Sequence, residues 1–248
     1  MPTLIGSVQR ALRLLEAAGA HRDGAPAKQL AREAGLPLPT AYHLLRTLTH
    51  EGYLRRESGV FLLGEAAGRL ADGGRQQKRR SMVRDSLDAL REAVGAPVYF
   101  AVYRAGEIEV LGVSDSPDTP AVREWADFRA TAHSHAVGRC LLGQLDESSR
   151  RDHYDRHPVG ALTPYTVRDL RALEERIARD ARHGPVIERQ EYALGTVCAA
   201  LPLVAGEDPA AVAISLPVGQ EDRLLSVVER LRSEVGALLS TLSISISI

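Results

Sequence analysis

Three stretches of helical apolar spacing, each closed by a glycine and followed by a short strand-turn-strand pattern, fill the chain up to Leu63 and constrain its fold more than any other feature. Ile5, Val8, Leu12 and Leu15 recur at helical intervals, reinforced by Ala11, Leu14 and Ala18, until Gly19 stops the pattern. After a polar loop through His21, Asp23 and Gly24, Pro26 suits the first turn of a second helix, with Leu30, Ala31 and Ala34 facing inward and Gly35 ending it. Pro39 opens a third helix, which Tyr42, Leu44, Leu45 and Leu48 hold against the first two and Gly52 closes. Tyr53 to Arg56, the turn Glu57-Ser58-Gly59 and Val60 to Leu63 then read as a hairpin. Two short helices joined at a glycine turn, with a hairpin directly after the second, predict a winged helix-turn-helix domain over residues 1–64. Its third helix is the one shaped for a DNA major groove.

The charge distribution agrees. Through residue 84 fourteen Lys and Arg face seven Asp and Glu, a surplus of seven positive charges, so the remainder carries −8 to reach the overall −1. A basic module joined to an acidic one suits a polyanion partner for the first and a different partner for the second. With 248 residues, 44 % of them hydrophobic, the chain has material for two domains. Between them residues 65–80 form the linker. Ala66, Ala67, Leu70 and Ala71 suggest a linker helix, Gly73-Gly74 a hinge, and Arg75 to Arg80 either a solvated face or a phosphate contact.

Residues 81–248 change character. Val83, Leu87, Leu90 and Val94 are helical in spacing; Val98 to Tyr103 and Ile108 to Val113 flank Ala105-Gly106 as a hairpin. Helices are expected around Val137 to Leu145, Leu170 to Ala181 and Asp222 to Leu242, with β-like runs at Thr196 to Val204 and Ala210 to Val218. Antiparallel strand pairs covered by helices make this an α+β domain. The alternating Ser and Ile of Ser240 to Ile248 fit either a weak edge strand or a disordered end.

At several separated places the sequence resembles the IclR family of bacterial transcription regulators. In the first domain these are Ser7 to Ala18, Gly35 to Leu45, Gly52-Tyr53-Leu54 and Leu63-Gly64; in the second, His133 to Leu142, Leu162 to Thr166, Gly184 to Ala200 and Ala213-Ile214-Ser215. The resemblance implies a homodimer or dimer of dimers on a pseudo-palindromic operator in double-stranded DNA. It also implies a C-terminal GAF-like effector domain whose sheet carries a pocket for a small organic, carboxylate-type ligand. Transferred position by position, Thr40 meets phosphate, Tyr42, His43 and Arg46 enter the groove, Arg55 and Arg56 track the backbone at the wing, and Arg10 and Lys28 join the DNA contacts. His43 stands where an arginine is common, and imidazole cannot make the bidentate guanine contact of a guanidinium. The ligand residues implied are Ala136, Val137 and Gly138 at a helix start, whose free amides suit a carboxylate, together with Glu188, Cys198 and Ser215. Pro217 replaces a second serine and Glu188 an aspartate of some relatives, which points to a larger or less anionic ligand.

Other classes find little support. His133 and His135 with His153, Asp155 and His157 invite a metal reading if alternate strand residues bring both imidazoles to one side, but no carboxylate or thiolate follows at ligand spacing, so no metal and no cofactor are expected. Cys140 and Cys198 lie in no catalytic signature and read as free thiols; there is neither a GxSxG elbow nor a phosphate loop. The remaining alternative is a small-molecule enzyme with an accessory helical domain. No run approaches the ~18 apolar residues of a membrane helix, and residues 1–20 lack a secretory pattern, so the expected location is the cytoplasm with no membrane partner.

Overall fold

The computed structural model describes residues 4–124, 126–205 and 208–246. The chain divides into two compact units, Met1–Lys78 and Arg79–Ile248.

In the first unit three helices, α1 (Gly6–Gly19), α2 (Ala27–Glu33) and α3 (Leu38–His50), pack around Leu14, Leu30 and Leu45, all fully buried. Gly35 adopts φ +65°, a left-handed turn that a side chain would strain, and the Leu36 amide donates to the Ala31 carbonyl at 2.8 Å, fixing α3 relative to α2. The hairpin of β2 (Leu54–Glu57) and β3 (Val60–Leu63) follows, and a two-residue β1 (Ala25–Pro26) pairs with β3 to complete an antiparallel sheet of order β1-β3-β2. Leu54 and Phe61 turn into the helical core; Arg56, opposite Phe61 in register, shares their face yet stays exposed toward the hairpin tip, and Arg55 points to the other face. β1 is too short to leave a periodic signal.

Gly73-Gly74 forms no break. A single helix, α4 (Glu65–Val94), runs through both glycines and absorbs the separate helix expected from residue 82. A helix-interior glycine loses about 1 kcal/mol relative to alanine, which weakens a helix without ending it, and the flanking residues are mostly good helix formers.

The second unit is built on a five-stranded antiparallel sheet of order β5-β4-β8-β7-β6, from β4 (Val98–Arg104), β5 (Glu107–Ser114), β6 (Val186–Arg189), β7 (Thr196–Ala205) and β8 (Asp208–Pro217). Alternation assigns its faces. Val98, Phe100, Val197, Leu201, Val212 and Ile214 pack beneath the later turns of α4 and α8 (Leu224–Ile246). Ala101, Tyr103, Ala200, Ala211 and Ala213 pack against α5 (Ala136–Leu142) and α7 (Leu170–His183). The small residues on this second face let α5 lie close to the strands.

Three departures from expectation have physical causes. α6 (Glu147–Arg156) escapes notice because it is polar almost all round; Asp146 caps it by accepting the Ser149 amide at 2.7 Å. His133 lies in a 3-10 turn, Ala132–Ser134, so no strand alternation aligns it with His135. At the tail, α8 continues through Ile246, so the Ser/Ile alternation up to that residue forms neither edge strand nor loose end; local helical bonding continues from the amphipathic run before it. Residues 247 and 248 lie outside the described residues.

Candidate nucleic-acid interface and ligand cavity

On α3, Ala41 and Leu45 are buried, Leu44 and Leu48 half-buried, and Tyr42, His43, Arg46, Thr47 and His50 are exposed. At 100° per residue these exposed positions form one face opposite the core. Tyr42 is 47 % exposed, which removes the alternative of a packing role beneath the helix. Thr40 is half-buried at the helix start; Lys28 on α2 and Arg10 on α1 are exposed, with the Arg10 Nε donating to the Gly6 carbonyl at 3.0 Å. At the wing the Arg55 guanidinium pairs with Glu57, and Arg56 lies 5.6 Å from the Phe61 ring centroid. Both arginines are held by neighbours that leave them at the surface. The unit thus presents a recognition-type helix face beside a cationic hairpin.

In the second unit a cavity of about 200 Å³ opens between the sheet and α5. Tyr99, Val113, Phe128, Val137, Tyr192 and Cys198 are among its walls. His135 organises one side. Its Nδ1 accepts the Gly138 amide at 2.8 Å, capping α5, so its Nε2 carries the proton and donates to the Phe128 carbonyl at 2.9 Å. Burial pushes its pKa down to about 3, keeping the ring neutral. Phe128 stacks on that ring at 3.7 Å between centroids, and Tyr192 meets it edge-on at 5.7 Å. Across the cavity the Tyr99 hydroxyl accepts the Val122 amide at 2.7 Å and bonds the Ser215 hydroxyl at 3.0 Å; burial raises its pKa to about 12. No Lys or Arg stands among the described lining residues, and the single acid is Glu124.

The six ligand residues expected from sequence separate into two groups. Ala136, Val137 and Cys198 line the cavity. Gly138, Glu188 and Ser215 do not line it, and Ser215 instead lines a second cavity of about 790 Å³. The Gly138 amide is already taken by His135, and an added Cβ there would lie 2.2 Å from the Ala132 carbonyl oxygen. Glu188, Cys198 and Ser215 are neighbours in register across β6, β7 and β8. Glu188 is 0 % exposed and accepts the Glu191 and Tyr192 amides, the latter at 3.2 Å, thereby shaping the turn that carries Tyr192. Its carboxyl pKa is raised by burial and partly restored by those amides; the Cys198 thiol beside it is pushed well up, again by burial. Neither cysteine is poised as a thiolate, since burial also lifts Cys140 to about 12.

A buried ionic cluster anchors the same turn. Arg139, 1 % exposed, donates from Nη1 to both Glu191 oxygens at 3.1 Å and from Nη2 to the Ile187 carbonyl, while the Arg176 Nη2 reaches Glu191 at 2.7 Å. Thr166 donates to the Glu191 carbonyl at 2.7 Å, and Thr163 to that of Gln190 at 2.7 Å.

The family model for the IclR helix-turn-helix domain matches residues 7–58, and that for the bacterial transcriptional regulator IclR C-terminal domain matches residues 76–247. The chain belongs to the IclR family. The transcriptional repressor IclR of Escherichia coli is 28 % identical over 229 residues, 89 % of this chain and 84 % of that protein. The p-hydroxybenzoate hydroxylase transcriptional activator of Acinetobacter baylyi is 26 % identical over 207 residues, 81 % of this chain and 76 % of the relative. Among solved structures, an IclR homologue from Microbacterium hydrocarbonoxydans complexed with 4-hydroxybenzoate aligns with a TM-score of 0.58 at 23 % identity, covering 96 % of this chain and 99 % of that one. This IclR-family chain is therefore a DNA-binding transcription regulator and not the enzyme with an accessory domain. No helix among the described residues is long and apolar enough to cross a membrane.

For an IclR-family regulator, the cavity residues that the sequence did not single out include three aromatic ones: Tyr99, Phe128 and Tyr192. The signal was compositional. Only 4 % of the chain is aromatic, so three such residues on one cavity are a concentration, visible only after folding.

Proposed function

We propose that this regulator binds a pseudo-palindromic operator as a homodimer or dimer of dimers, with α3 in the major groove, and that a small organic effector in the Tyr99/Cys198 cavity modulates that binding. Tyr42, His43 and Arg46 are assigned to base edges, Thr40, Arg10 and Lys28 to phosphates, and Arg55 and Arg56 to the backbone at the wing. Support comes from the α3 face, where Tyr42, His43 and Arg46 are exposed together opposite a buried apolar one.

The cavity is the observation that carries the effector. Its stacked aromatic side and the lack of a lining cation among the described residues favour a flat, largely apolar molecule. The polar end is a hydroxyl or a single carboxylate met by the Tyr99 hydroxyl, the Cys198 thiol and the first amides of α5, not a di- or tricarboxylate. The 4-hydroxybenzoate bound by the Microbacterium homologue has this form.

Two measurements test the two halves. Arg46→Ala is expected to weaken binding to DNA from the region flanking the gene by about 1–3 kcal/mol, with ligand affinity unchanged; an unaltered operator isotherm removes Arg46 from the interface. Cys198→Leu fills cavity space and is expected to weaken binding of 4-hydroxybenzoate, or whichever member of a benzoate and phenol panel shifts the melting temperature, by about 1–3 kcal/mol. An unaltered ligand isotherm with intact protein places the effector elsewhere.

A further inference from the structure

The polar helix α6 and the β4–β5 hairpin gather side chains that effector binding does not use. His153 lies in the last turn of α6 and His157 caps it, one turn later, so the two imidazoles share a face. One nitrogen of each ring and one carboxylate oxygen of Glu107, at the start of β5, lie within 4.8 Å of one another. The His157 Nε2 is 3.0 and 3.1 Å from the two Glu107 oxygens. His153 is 1 % exposed; its Nδ1 lies 3.3 Å from the Tyr103 hydroxyl, and its buried Nε2 has no hydrogen-bond partner among the described residues. Buried polar atoms are nearly always satisfied, so an unused ring nitrogen beside a second imidazole and a carboxylate calls for a ligand.

We propose that Glu107, His153 and His157 bind a divalent transition-metal ion of the zinc type, which pins the end of α6 to the β4–β5 hairpin. Two imidazoles and one carboxylate match zinc, whereas magnesium and calcium take oxygen donors. Three protein ligands leave a fourth position for water. Donor atoms around a tetrahedral zinc stand about 3.4 Å apart, so small side-chain rotations close the group. The Tyr103 hydroxyl on Nδ1 supplies the outer hydrogen bond that holds a metal-binding imidazole in one orientation.

Arg156 is the competitor. Its Nη1 pairs with Glu107, yet its Nη2 also donates to the Gly106 carbonyl at 2.7 Å and to Asp152 at 3.0 Å. An incoming cation displaces it from Glu107 without leaving it unpartnered, and removing its charge makes the site more receptive.

The test is calorimetric titration of the untagged, chelator-stripped full-length protein with Zn²⁺, with Co²⁺ absorption as a second readout. Expected are one saturable equivalent per chain and the visible bands of a four-coordinate cobalt site. Glu107→Gln, which keeps the side chain's volume, and His157→Ala should each weaken binding by about tenfold or more, whereas Arg156→Gln should tighten it. The absence of a saturable equivalent overturns the site, as does binding that survives unchanged in both Glu107→Gln and His157→Ala. Should His157→Ala fail to fold, Glu107→Gln alone decides.

Discussion

Glu191→Ala is expected to destabilise the second unit by about 3–5 kcal/mol, the range for removing one partner from a buried ion pair. Glu191 is the only carboxylate bonded to the Arg139 guanidinium among the described residues, and it is shared with Arg176. Without it, a cation that is 1 % exposed faces burial with only the Ile187 carbonyl as acceptor. Burial already depresses the pKa of Arg139, with Glu191 acting against that shift. Much of the lost stability should return in the double variant Arg139→Met, Glu191→Leu, because an apolar pair of similar volume removes both desolvation penalties. Urea unfolding followed by circular dichroism measures both. A loss under about 1 kcal/mol for Glu191→Ala would mean that water or another acid solvates Arg139 and that the cluster does not hold the Tyr192 turn.

Gly138→Ala should be nearly as damaging, about 3 kcal/mol, the upper end for overpacking against parts that cannot yield. The added methyl would lie 2.2 Å from the Ala132 carbonyl oxygen and 2.4 Å from its Cα, both backbone. α5 then has to leave the Ala132–Ser134 turn, breaking the His135 cap and shifting Ala136 and Val137 in the cavity wall. Thermal unfolding gives the stability change, and operator binding by the variant shows whether the first unit still folds. A melting temperature equal to that of the parent protein would show that α5 does not dock so closely, and with it the position of the cavity wall would fall.

Much of the architecture was legible in the amino-acid order because the signals are local. Helices α1 to α3, the wing, the β4–β5 hairpin and the β7–β8 runs follow from apolar period and turn residues. Elements without a period were not legible: β1 has two residues, and α6 exposes charge on nearly every side. Gly73-Gly74 misled because glycine signals permission to bend, whereas neighbouring residues and backbone bonding decide whether the chain does so.

The ligand cavity was half legible. His133 to Leu142, Leu162 to Thr166 and Gly184 to Ala200 stood out as segments, and Ala136, Val137 and Cys198 do line the cavity. That these segments meet at one point, Arg139 on Glu191 with Thr163 and Thr166 on the same turn, depends on contacts between residues some 25 to 52 positions apart. The same holds for Gly138 and Glu188, which look like ligand groups in a linear string: the Gly138 amide proves to be taken by His135, and the Glu191 and Tyr192 amides take Oε1 of Glu188 but not its buried Oε2. By itself the sequence determined the family, the recognition-type helix and the alternation that assigns each strand residue to a face, since these rest on neighbours within a few positions. Only the tertiary structure decided which polar groups remain available to a ligand, because a donor or acceptor is free or occupied according to partners that the chain brings near only when it folds.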